Sequence, residues 1–240
     1  MVLSGNPHIN NIITFDKADS RNQLRRIRMQ VQLTRYSMIL DIQKNIRSMM
    51  IGVGSRTGIA GFSKKLMARD LLIRFKINIY KEIKPVYLHY LEYVETLGVR
   101  YDGKGTEVFP SEQETSAVEA LLAQNNLPVG KPLLVVAPGA QWENKRWTTE
   151  GFATSADTFC NQTGAYTLLI GGPGDVDICR MVQSQMKTPS LNLAGKLSLM
   201  GSAAVLGKAA MVFTNDTGML HMAQAMKAPV VAVYGPTTRE

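Results

Sequence analysis

From residue 132 onward, apolar runs closed by glycine or a polar turn alternate with stretches of helical spacing. "PLLVVAPG" (132–139) is a continuous apolar run ending in Pro-Gly, the pattern of a strand buried on both faces of a parallel sheet. Residues 149–164 put Phe152, Ala156 and Phe159 on one helical face, with Gly164 as the stop. "AYTLLIGG" (165–172) predicts a second strand, 175–187 a helix, 190–196 a short strand and 198–209 a helix. A strand over 210–214, a helix near 219–227 and the strand "PVVAVYG" (229–235) complete the series. This alternation predicts an α/β fold with a doubly wound parallel sheet.

The first half is looser. "NIITF" (11–15), "SMILDI" (37–42) and "IAGF" (59–62) read as strands, and "QLRRIRMQVQLT" (23–34) as a helix. "PVYLHYLEYVETLGV" (85–99) carries a helical stripe of Tyr87, Tyr90, Leu91, Val94 and Leu97, read as core. Residues 101–127 are polar and read as a linker with one helix, so the chain divides into 1–127 and 128–240. There is no internal repeat.

At 240 residues, 45% hydrophobic and 19% charged, the chain has ample material for a core. The two cysteines, Cys160 and Cys179, form no disulfide framework and read as reduced, buried thiols. No apolar run is long enough to cross a bilayer, and the N-terminus lacks the pattern of a signal peptide. The net charge of +8 is concentrated in residues 1–100. That half suits an anionic partner, either a phosphorylated substrate or anionic lipid. No aromatic-rich basic motif accompanies the charge, which argues against nucleic acid.

Ligands of open parallel sheets bind beyond the carboxyl ends of the strands. Three such ends carry suitable residues. "PGAQWENKRW" (138–147) brings Lys145 and Arg146 within reach of an anion. "GGPGD" (171–175) is a turn that lets backbone approach a ligand. In "NDTG" (215–218), Asp216 is placed to cap the following helix, which leaves the amides of Thr217 and Gly218 as donors at its positive end. His221 lies one turn further on. The unit reads as a diphosphate cradle, with Lys145 as a point charge from the adjacent loop. Each feature alone has an ordinary structural reading; three at successive strand ends favour a site.

"PGAQWENKRW…EGFA", "LLIGGPGD", "LNLAGKLSL" and "NDTGMLHMAQAMKAPVVAVYGPT" together resemble the C-terminal domain of the heptosyltransferases of glycosyltransferase family 9. A fainter resemblance covers "NPHINNIITFDK", "LDIQKNIRS" and "RTGIAGF". The resemblance implies a GT-B-like fold of two Rossmann-like domains, here with an incomplete N-terminal one and without the final helices. It implies inverting transfer of heptose from ADP-heptose to the phosphorylated inner core of lipopolysaccharide, with no cofactor and no obligatory metal. The expected location is the cytoplasm, peripheral on the inner face of the inner membrane. The acid of the family's motif, which holds the nucleoside part of the donor, falls on Asp216. The diphosphate donors fall on Thr217, Gly218 and His221, and the leaving-group lysine on Lys145. Ala140 and Gln141 line the donor pocket. Thr148 stands where a proline commonly follows the tryptophan, and should affect only the start of that helix.

Family members begin with a strand and a loop that supplies the catalytic carboxylate, so the general base is not expected in this chain and the fragment alone is expected to be inactive. Asp41 is a candidate replacement, with structural capping as its expected role. Lys44, Arg47, Lys64 and Arg69 are candidates for the acceptor. The alternatives are a same-fold glycosyltransferase with another nucleotide-sugar donor, or a non-catalytic nucleotide-binding remnant of a truncated gene.

Overall fold

The structure is a computed structural model that describes residues 2–16, 18–34, 36–55, 57–61, 71–72, 74–79, 85–92, 94–128 and 130–235, with the backbone alone at 59–61 and 96. By its contacts the chain forms two compact units. One joins the residues up to Asn10 to the chain from Gly105 onward, and the other is Asn11–Lys104.

The larger unit is built on five parallel strands: β3 (Leu133–Ala137), β4 (Tyr166–Leu169), β5 (Ser190–Asn192), β6 (Met211–Asn215) and β7 (Val230–Val233), in the order β5-β4-β3-β6-β7. Every residue of β3 is buried, as expected of a central strand covered on both faces. Side chains alternate across a strand, so Leu133, Val135 and Ala137 enter one core and Leu134 and Val136 the other. Helix α4 (Glu112–Gln124) supplies Val118 and Leu122 to the first core, beside α7 (Leu199–Leu206) and α8 (Gly218–Ala225). Helices α5 (Thr149–Thr163) and α6 (Val176–Gln185) supply Phe152, Ala156, Cys179 and Val182 to the second.

Two details follow from local chemistry. Thr148 caps α5 by accepting from the Gly151 amide at 3.1 Å, and Gly164 ends it at φ 72°. The carboxylate of Asp157 in α5 accepts from the amides of Lys187 and Thr188 and from the Thr188 hydroxyl, at 2.6–3.1 Å. This fastens the α6–β5 connection to α5.

Helix α4 departs from the expected division near residue 127. Its apolar face packs on α7, Glu114 accepts from the Ser198 hydroxyl at 2.9 Å, and Glu119 pairs with Lys208 at 2.7 Å. It therefore belongs to the larger unit.

The other unit contains α1 (Ser20–Leu33), β1 (Ile39–Asp41), α2 (Ile46–Gly52), β2 (Ile59–Gly61) and α3 (Val86–Glu92). Strands β1 and β2 pair in parallel. Two expectations fail here. Residues 11–15 are irregular, because no described strand pairs with them. The stripe over 85–99 is not one helix: α3 gives way to a 3-10 turn at Glu95–Leu97, ended by Gly98 at φ 80°. Tyr87, Tyr90, Leu91 and Val94 are only half-buried, and Leu97 is exposed.

Candidate donor site

The chain runs from β3 to β4 and β5 on one side of the sheet, then crosses to β6 and β7 on the other. The switch in direction falls between β3 and β6, where an open α/β sheet leaves a crevice at its carboxyl edge. The loops after these two strands, 138–147 and 216–217, meet there.

A cavity of about 530 Å³ occupies this edge, within the range of small-molecule sites. Ala140 and Gln141 line it from the first loop, and Thr217, Gly218 and His221 from the second. The helix start differs from the sequence reading. Thr217, in extended backbone, is the N-cap of α8, and its hydroxyl accepts from the Met219 amide at 3.3 Å. Asp216 does not cap. Two capping residue types stand side by side, and only the one whose backbone leaves the helix can serve.

The amides of Thr217 and Gly218 make no hydrogen bond among the described residues. A Cβ at Gly218 would meet nothing within 4 Å, so there is open space at its Cα. Thr217 and Gly218, with amides free at the positive end of α8, both line the cavity.

Asp216 is engaged elsewhere. Its Oδ2 accepts from Lys145 Nζ at 2.6 Å, with the two side chains 17% and 27% exposed. Lys145 belongs to a short 3-10 turn, Glu143–Lys145. Arg146, expected beside Lys145 as an anion ligand, donates through Nε to Ala140 O at 2.8 Å and so closes its own loop.

The third wall is the "GGPGD" turn, where sequence reasoning expected backbone to approach a ligand and did not single out Asp175. Asp175 lines the cavity from the turn after β4, and its Oδ2 accepts from the Gly172 amide at 2.9 Å. Glycines at the ends of β3 and β4 make room for it. A Cβ on Gly139 would run into its carboxylate, and one on Gly171 would meet its Cβ at 2.6 Å. Burial, together with the Asp175 charge, pushes the Cys179 thiol up to about 12. The signal was present in "GGPGD", an acid after a glycine turn at a strand end. Thr106, Glu107 and Val108 also reach the cavity, and nothing in their local sequence points to it.

Of the candidates in the other unit, Lys44 and Arg47 are described, and Arg47 lines a cavity of about 250 Å³ with Ser20, Arg21 and Leu24. The Lys44 amide donates to Asp41 Oδ1 at 2.8 Å, and the Arg47 guanidinium lies 5.3 Å from the centre of the Phe15 ring. Lys64 and Arg69 lie outside the described residues. Asp41, expected as a cap, instead closes the loop ahead of α2: it also accepts from the Gln43 amide and the Ser48 hydroxyl, while Asn45 is the N-cap. Among the described residues no cluster of three or more His, Cys, Asp or Glu could hold a metal ion. None of their helices is long and apolar enough to cross a membrane.

The family model for glycosyltransferase family 9 (heptosyltransferase) matches residues 24–240. Lipooligosaccharide heptosyltransferase 2 of Haemophilus influenzae is 29% identical over 131 residues, which are 52% of this chain and 38% of that protein. Among solved structures, the glycosyltransferase family 9 protein from Veillonella parvula superimposes with a TM-score of 0.83 at 24% identity, covering 99% of this chain and 70% of that one. The heptosyltransferase WaaC of Escherichia coli, solved with ADP, gives 0.64 at 21% identity, covering 92% and 67%. This chain thus spans only part of the length of each. The α/β fold agrees with the GT-B type, and the chain belongs to glycosyltransferase family 9.

Proposed function

We propose that this chain carries the donor site of a heptosyltransferase of lipopolysaccharide core assembly, with ADP-heptose as donor. The observation that carries this reading is the pair of open amides, Thr217 and Gly218, lining the cavity at the switch point of the sheet, directly after the Asp216 carboxylate that holds the Lys145 ammonium. Backbone N–H groups at a helix start favour phosphate. The Asp175 carboxylate on the third wall accepts hydrogen bonds and so suits hydroxyls rather than phosphate. Relatives named as heptosyltransferases and a neighbour solved with ADP support the choice of ligand.

In a transferase built on this site, an acceptor hydroxyl oxygen bonds to the anomeric carbon as the bond to the diphosphate oxygen breaks, with inversion. Negative charge grows on the departing nucleoside diphosphate. The two amides, His221 and Lys145 stabilise it where it develops. The hydroxyl proton passes to a general base. The Asp41 carboxylate, which accepts from two amides and a hydroxyl, suits a structural role better than that of the base.

The basic character of residues 1–100 suits a phosphorylated acceptor at the cytoplasmic surface of an anionic inner membrane. Lys44, Arg47, Lys64 and Arg69 are the proposed contacts. The test is competition for one labelled adenine nucleotide among ADP-heptose, UDP-sugars and GDP-sugars. Preferential displacement by ADP-heptose supports the reading, whereas displacement by a uridine or guanosine donor contradicts it.

A further inference from the structure

The loop that carries Lys145 is held by a side chain outside the cavity. Asn215 ends β6 and is fully buried. Its Nδ2 donates to Pro138 O at 2.8 Å, and its Oδ1 accepts from the Trp147 amide at 3.0 Å. These partners are the entry and the exit of the loop, so one amide closes its neck. A buried amide is costly unless both ends are paired; here both are, and neither partner belongs to the sheet ladder.

Gly235, just past β7, presses on the same loop from another side. A Cβ there would run into Asn144 O and stand 3.3 Å from Lys145 Cα. Trp147 anchors the exit by packing edge-on against Phe152, with ring centres 5.2 Å apart. Asp216, the partner of Lys145, directly follows Asn215. One short backbone segment therefore sets both the neck of the lysine loop and the carboxylate on which the lysine rests.

We infer that Asn215 is a positioning residue for Lys145, with Gly235 as its backstop, and that the two hold the ammonium where charge develops on the donor diphosphate. The inference rests on the donor reading above. A lysine on a fixed loop has only its own rotamers to order when it transfers from Asp216 to a phosphate, so ordering offsets less of the binding energy.

A double-mutant cycle tests this, with ADP titrated by calorimetry into the wild-type chain, Lys145→Ala, Asn215→Ala and the double variant. Asn215→Ala should weaken ADP by roughly tenfold, as expected when a charge-assisted hydrogen bond is removed or misaligned. In the Lys145→Ala background it should add little. It should also flatten the salt dependence of ADP affinity toward that of Lys145→Ala, which a purely structural role does not do. If Asn215→Ala does not fold, Gly235→Ala is carried through the same cycle, with the same coupling expected. Equal losses in both backgrounds overturn the inference, as does an unchanged affinity. Failure of the donor reading looks different: the folded wild-type chain then binds no ADP, and the positioning role falls with it.

Discussion

Lys145 Nζ stands 2.6 Å from Asp216 Oδ2, although the residues are 71 positions apart. The pair joins the loops after β3 and β6 at the switch point, and Asp216 directly precedes Thr217 and Gly218, which line the cavity. An anion that binds there competes with Asp216 for the lysine. The carboxylate therefore gives the ammonium a defined position and a counter-charge.

Because Thr217 rather than Asp216 caps α8, the two residues separate in their effect on folding. Thr217→Ala should cost about 1 kcal/mol of unfolding free energy, the usual effect of removing a cap. Asp216→Asn keeps an acceptor for Lys145 and leaves the cap intact, so it should cost less. Urea unfolding of both variants decides; no loss in Thr217→Ala would contradict Thr217 as the cap.

The Gly139 position should be intolerant of a methyl group because Asp175 fills its space. Gly139→Ala should destabilise the chain by about 1–3 kcal/mol and shift Asp175 in the cavity wall. Gly174, where a Cβ meets nothing within 4 Å, provides the control. Equal melting temperatures for the two alanine variants would contradict the packing of Asp175 between the strand ends.

Asp157 sets an acid limit on stability. Burial raises its pKa, but the Thr188 hydroxyl and the amides of Thr188 and Lys187 outweigh burial and bring it below the ordinary aspartate value. A group depressed in the folded state contributes stability above its unfolded pKa and loses it as the pH falls through the folded one. Between neutral pH and pH below the ordinary aspartate range, wild type should therefore lose more stability than Asp157→Asn. Parallel losses in the two chains would assign the acid sensitivity to other groups.

Cys160 and Cys179 are both buried, and the Cys179 thiol is held protonated near neutrality, with its pKa at about 12. Neither should react with a disulfide reagent in the native chain, because burial keeps the reagent away from both and the Cys179 thiolate, the nucleophilic form, is disfavoured. Both should react after unfolding in denaturant. Rapid native labelling of Cys179 would contradict its place in the core.

The alternation of strand and helix after residue 132 was legible because the chain punctuates it, with the apolar run of β3 and Gly164 at the end of α5. The first half was less legible. Its strands are three residues long, and the apolar content of 11–15 does not by itself secure a partner strand. Helix α4 carries a polar face that reads as a linker, and its assignment depends on what Val118 and Leu122 touch. At the site, residue types at strand ends pointed to the three loops that line the cavity. They could not say which of Asp216 and Thr217 caps, that Arg146 closes its own loop, or that Asn215 binds Pro138 and Trp147 across 77 and 68 residues. Those relations depend on backbone angles and on long-range pairing, which local pattern does not encode.

The central claim is that the cradle binds the diphosphate of an adenine nucleotide with Lys145 as its cation. Calorimetric titration of ADP into the wild-type chain and Lys145→Ala tests it most directly. A charge-assisted hydrogen bond contributes roughly 1.5–3 kcal/mol, so Lys145→Ala should bind ADP about ten- to a hundredfold more weakly. Equal affinity in the two chains, or no ADP binding by a wild-type chain shown to be folded, would contradict the account.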